Sequence, residues 1–171
     1  MASMIKAVWI ILTIAASGFV LPVTAAAAEL TGTHGDWKTY RHGAGESRMC
    51  FAVATAEEAS PVNGQRDKPH VYVTAWPTAG IKAEISVLLG FSLKRGAEIE
   101  VDVGGTAFTL LADDDRAFVA DTGDEARLLD AMRRGRVMTV SGVSSAGLTS
   151  KDSYSLLGVT AAIQAIASDC Q

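Results

Sequence analysis

Thiols are scarce in this chain, with Cys50 and Cys170 the only two among 171 residues. Two cysteines cannot staple a disulfide-dense miniprotein or complete a four-cysteine zinc site. Histidine is nearly as sparse. His34, His42 and His70 stand too far apart for the i, i+2 or i, i+4 spacing of a local metal pair, so no metal ligand set is read from them. A basic surplus is missing as well: 15 Lys and Arg are outnumbered by 19 Asp and Glu, a net charge of −4. That balance excludes a nucleic-acid partner held by a basic surface. Neither a glycine-rich phosphate loop ending in Lys-Ser or Lys-Thr nor a dinucleotide fingerprint occurs, so no cofactor is expected.

Catalytic groupings are also wanting. Gly142-Val143-Ser144-Ser145-Ala146-Gly147 invites a nucleophile, yet it lacks the Gly-x-Ser-x-Gly order and no strand-to-helix elbow follows. It reads as a loop between two strands. Asp113-Asp114-Asp115 has neither the alternating ligands, the glycine nor the terminal glutamate of an EF-hand, and reads as a hairpin turn with its side chains in water. The chain is therefore read as a non-enzyme.

Apolar residues, by contrast, are plentiful: 49% of the chain is hydrophobic and the mean hydropathy is +0.22. Much of this lies at the start. Met1 to Ala28 holds 21 hydrophobic residues and one charge, Lys6. The apolar run Ala7 to Leu21 is broken by Pro22 and followed by Ala25-Ala26-Ala27-Ala28, the small residues a signal peptidase reads. Residues 1–28 are expected to be a cleaved signal peptide, cut after Ala28 or alternatively Ala26. A permanent anchor needs about 20 mostly apolar residues, and this core is shorter. Residues 29–171 then form a single exported domain with no integral membrane segment. It carries 14 basic and 19 acidic side chains, a net charge of −5.

Export changes how the thiols read. In an oxidising compartment Cys50 and Cys170 most simply form one disulfide, closing a loop of about 120 residues. The alternative, a redox-active thiol, has no Cys-x-x-Cys pair behind it, and Arg48 is the only nearby base that could lower a thiol pKa.

Most of the remainder reads as short strands. Trp37–Tyr40, Met49–Ala54, Val71–Trp76 and Glu84–Phe91 are candidates, followed by Glu98–Val103, where acidic and apolar residues alternate. That period of two places Ile99, Val101 and Val103 on one buried face. Gly104-Gly105 supplies a two-residue turn to Thr106–Leu111. Arg116–Ala120, Val137–Val143 and Ser153–Leu157 complete the set. Glu57 to Lys68 reads as one surface loop.

Two helices are expected. Thr122-Gly123-Asp124-Glu125 fits a capping box, with Leu128, Leu129 and Met132 on one face and Gly135 as the stop. The second spans about Thr160 to Ser168, with Ile163 and Ile166 inward. Many short strands and few helices predict an all-β antiparallel sandwich. Arg133, Arg134 and Arg136 complement the first helix's C-terminal dipole, and are also the candidate contact for a partner. Trp76, before Pro77 at a strand end, is expected in the core, with an exposed anchor as the alternative.

Taken in order, these pieces resemble the invasion-associated locus B proteins of alphaproteobacteria. The resemblance runs from Gly35-Asp36-Trp37 and Met49-Cys50-Phe51-Ala52 through Arg66-Asp67, Glu84-Ile85-Ser86-Val87 and Gly90-Phe91-Ser92-Leu93-Lys94. It continues over Glu125 to Gly135 and ends on Asp152-Ser153-Tyr154-Ser155-Leu156, Gly158 and Cys170. One departure is Ala146-Gly147-Leu148, where the family often carries Arg-Gly-Thr. The resemblance implies an immunoglobulin-like β-sandwich, exported to the periplasm and associated with the outer membrane or secreted. It implies a protein-binding module linked to invasion of host cells, with an unidentified partner in the envelope or on the host-cell surface. A general periplasmic housekeeping or stress protein with no host role is the alternative.

Overall fold

The computed structural model describes residues 27–60 and 66–170. The expected signal peptide thus lies outside the described residues except for Ala27 and Ala28, and so do residues 61–65 of the polar stretch. The strands are β1 (Glu29–His34), β2 (Trp37–His42), β3 (Met49–Thr55), β4 (Glu58–Ala59), β5 (His70–Trp76), β6 (Ile81–Leu88), β7 (Glu98–Val103), β8 (Thr106–Asp113), β9 (Arg116–Val119), β10 (Val137–Val143) and β11 (Thr149–Ser155). Helix α1 (Thr122–Arg134) separates β9 from β10, and α2 (Val159–Asp169) follows β11.

Alternation builds the strands as expected. Ile99, Val101 and Val103 are buried, while their acidic neighbours face outward or sit at the rim. Gly104 and Gly105 have φ of 60° and 85°, the positive values a tight two-residue hairpin requires. Asp113 pairs with Arg116, so Asp114 and Asp115 form the expected hairpin turn, with Asp114 itself at φ 58°.

The larger architecture departs from the expected immunoglobulin-like sandwich. Hydrogen bonding runs through one antiparallel sheet in the order β1-β2-β3-β5-β6-β9-β8-β7-β10-β11-β4, and not through two separate sheets. Two ladders, β6 with β9 and β7 with β10, stitch the halves together. A sheet this wide twists and curls. Its far edge returns beside its early part, because β4 is the continuation of β3 and pairs with β11. The inner face is covered by helices in place of a second sheet: α2 packs on β1, β2, β3 and β5, and α1 touches α2 and β6 to β9. Leu128, Leu129 and Met132 of α1 and Val159, Ala162, Ile163 and Ile166 of α2 are the buried side chains.

Three tethers hold this arrangement. Trp37, fully buried, donates its Nε1–H to the Ser155 carbonyl at 3.1 Å. Cys170, at the end of α2, is disulfide-bonded to Cys50 of β3 across 120 residues of sequence. Gly158 caps α2 at φ 93°, and a Cβ there would run into the His34 carbonyl, so glycine alone permits β11 to turn into the helix so close to β1.

The start of α1 corrects the expected capping box. Asp121 is the N-cap, accepting the Gly123 and Asp124 N–H groups at 2.8 and 3.1 Å. Glu125 turns instead to β6, where it accepts the Ile85 N–H at 2.8 Å. Burial raises the Glu125 carboxyl from its ordinary value; the Ile85 hydrogen bond opposes this and the nearby Glu84 charge adds to it. A folded-state value above the unfolded one means that ionisation costs stability, increasingly so as pH rises through the carboxylate range. Glu125→Gln keeps an acceptor and removes the charge. Its stability relative to wild type should therefore increase between about pH 4 and about pH 7. Urea midpoints at the two pH values check this, and a constant or falling difference would contradict it.

Candidate functional site

Period-two alternation leaves one set of side chains on the outer face of each strand, and on β2, β3, β5 and β9 that set includes an aromatic ring, Tyr40, Phe51, Tyr72 and Phe118 in turn. Tyr40 lies opposite Phe51, and their rings stack with centroids 5.2 Å apart and planes 13° from parallel. Phe51 meets Tyr72 at 6.1 Å in a tilted arrangement. Tyr72 lies opposite Ser86 of β6, which lies opposite Phe118 of β9. The Arg116 guanidinium sits 5.2 Å above the Tyr72 ring. Cross-strand aromatic pairs of this kind stabilise a sheet while leaving their outer edges in water.

Phe51 and Tyr72 form a ridge between two shallow depressions. One, of about 500 Å³, reaches Lys38, Tyr40, Glu57 and His70. The other, of about 400 Å³, reaches Met49, Trp76, Glu84 and Phe118. Trp76 is 36% exposed, which corrects its expected place in the core. Both faces of β5 are apolar, with Val71, Val73 and Ala75 inward and Tyr72 and Trp76 outward, so composition alone does not reveal which tryptophan is interior. Trp37 takes that role.

A second polar feature lies inside the sheet. Ser150, Asp152 and Tyr154 of β11 are all buried. Arg66, from the stretch read as a surface loop, pairs with Asp152 through both carboxylate oxygens, and both side chains are nearly or wholly buried. Arg66 also donates to the Leu89 and Ser60 carbonyls at 2.8 and 2.9 Å and lies 5.0 Å over the Phe91 ring. Burial pushes the Tyr154 phenol up from its ordinary value; the Asp152 charge adds to this and Arg66 opposes it. The available signal was a charged residue at an inward position of a strand. The same stretch supplies β4, so the loop reading of Glu57 to Lys68 is corrected at both ends.

Of the arginines singled out from sequence, Arg133 pairs with Asp130 at 3.2 Å, and Arg133 and Arg136 line one depression. Arg134 is exposed beside them. Among the described residues, no group of three His, Cys, Asp or Glu could hold a metal ion, and no helix is long and apolar enough to cross a membrane.

The Invasion associated locus B (IalB) protein family matches residues 41–167, which is most of the chain and includes the Phe51–Tyr72 ridge and the Arg66–Asp152 pair. This chain belongs to the IalB family. The fold agrees: the crystal structure of invasion associated protein b from Bartonella henselae superimposes with a TM-score of 0.54, covering 84% of this IalB chain and 97% of that one at 16% identity. At 16% identity the superposition demonstrates a shared fold alone. No curated protein matches the sequence. Tyr40, β1 and Cys170 lie outside the matched IalB segment.

Proposed function

We propose that this IalB-family protein is an exported, non-enzymatic binding module. Its place is the periplasm, the outer membrane or the exterior, where it engages a protein partner of the envelope or of the host-cell surface. The aromatic strip carries the reading. Single exposed apolar residues are ordinary on a soluble protein. Rings aligned across neighbouring strands, flanked by Trp76 and Arg116, instead have the composition of an interface core, which is enriched in Tyr, Trp, Phe and Arg. Export is supported by the leader-like residues 1–28 and by the disulfide, since such bonds persist in oxidising compartments.

Residues 29–171, folded as one domain and oxidised, serve as bait against envelope and host-membrane extracts. A partner bound through the strip should be recovered at least about tenfold less by the Phe51→Ala/Phe118→Ala variant, as for loss of interface hot spots. Circular dichroism and thiol titration confirm that the variant is folded and oxidised. Equal recovery by both proteins sinks the strip as the contact. Protease treatment of intact cells separates the locations: a protected protein rules out host-surface contact.

A further inference from the structure

We propose a second recognition site in the depression between the end of α1 and the start of α2, one that takes an acidic peptide segment bearing an aliphatic side chain next to its carboxylate. The depression is open to solvent and measures about 600 Å³. Its rim carries Arg133 from α1, Arg136 from the link to β10, and Thr160 and Gln164 from α2. Its apolar part is Leu156, Leu157 and Ala161. None of the lining residues is acidic. Asp130 engages Arg133 from outside at 3.2 Å, and among the described residues no acidic side chain pairs with Arg136.

Charge decides the sign of the occupant. The domain carries an excess of acidic residues, so a negatively charged ligand gains nothing from the protein's net field and must be drawn by this local group of arginines. Guanidinium groups bind carboxylates through paired, directional N–H donors. Leu157, 67% exposed, is the most exposed of the large apolar side chains among the described residues and lies beside those donors, so the matching ligand joins an anion to an aliphatic group. Other anion classes fit less well. No lining residue is aromatic, so a nucleobase has no stacking partner. Two leucines do not make a channel for an acyl chain, and inorganic phosphate would leave most of the volume empty.

No residue lines both this depression and those beside the aromatic strip, and the two can fail independently. The probe is a fluorescein-labelled peptide alternating Glu or Asp with Leu, titrated into the oxidised protein by fluorescence anisotropy. Saturable binding is expected, weakening as salt rises from about 50 to about 300 mM. Arg133→Glu/Arg136→Glu should raise Kd more than about tenfold, while Arg134→Glu, outside the lining, should change it less than about threefold. Leu157→Ser should weaken binding with every charge intact, and Phe51→Ala/Phe118→Ala should leave it unchanged. The proposal is overturned by absence of binding, by equal binding to a peptide with Lys at the acidic positions, or by an unaltered Kd in the double-arginine variant. It is equally overturned if inorganic phosphate or phosphatidylglycerol vesicles displace the peptide at lower concentration than unlabelled peptide does.

Discussion

Replacing both Cys50 and Cys170 with alanine should lower the unfolding free energy by about 2–5 kcal/mol. The bond spans 120 residues, nearly the whole domain. In the chain-entropy account, tying residues so far apart removes about 4–5 kcal/mol worth of freedom from the unfolded ensemble. Its location adds a folded-state reason. Cys50 is fully buried in β3, and Cys170 ends the helix that packs on β1, β2, β3 and β5. Without the bond, α2 is held on the inner face by Val159, Ala162, Ile163 and Ile166 and by the turn at Gly158. The wild-type protein reduced with dithiothreitol should match the double-alanine variant, because both lose the same cross-link. Urea unfolding of the three forms checks this. A difference of less than about 1 kcal/mol between oxidised and reduced protein would show that the cross-link is not what secures α2.

The second large effect concerns the buried ion pair. Asp152→Ala should cost about 3–5 kcal/mol, because it leaves the Arg66 guanidinium enclosed with only carbonyl acceptors and the Phe91 ring. The pair's own net contribution is a different quantity. Removing two charges from water offsets much of their attraction, so Arg66→Met together with Asp152→Leu should be far less destabilising than either change alone. A double-mutant cycle from urea midpoints measures the coupling. Additive single and double effects would contradict it. The pair matters to the fold because Arg66 joins three places at once: β11 through Asp152, the end of β6 through Leu89, and the chain after β4 through Ser60. It holds the seam where the curled sheet returns toward its beginning.

How much of this was legible in the sequence differs by element. The run Glu98–Val103 was legible because a period of two has one reading at the level of a strand, and Val137–Val143 was also bounded correctly. Helix α1 was legible in its buried face, and its cap was misplaced by one residue. Both Asp121 and Thr122 can cap, and the choice went to Asp121 because Glu125 is drawn away by the Ile85 N–H of another element. Strand β4 has two residues, and its identity as a strand exists only in its pairing with Asp152 and Ser153. No local signal could have revealed it.

The sites divide similarly. Tyr40, Phe51, Tyr72 and Phe118 were each visible as strand residues, yet their alignment into one strip depends on the registers between β2, β3, β5, β6 and β9. Arg66 and Asp152 stand 86 residues apart, in a polar stretch and a strand with no common pattern.

Family, β-rich composition, strand periodicity and the lone pair of cysteines whose bonding the structure contains were all legible from the residues alone. These are local or compositional properties, set by side-chain period and residue chemistry. The tertiary structure decided that the strands make one curled sheet filled by two helices, that Trp37 is inside and Trp76 outside, and that Arg66 is buried on Asp152. Each of those outcomes turns on which distant backbone groups pair and which face the helices cover. The free energy that selects among them comes from burial and long-range register, which no short window of sequence contains.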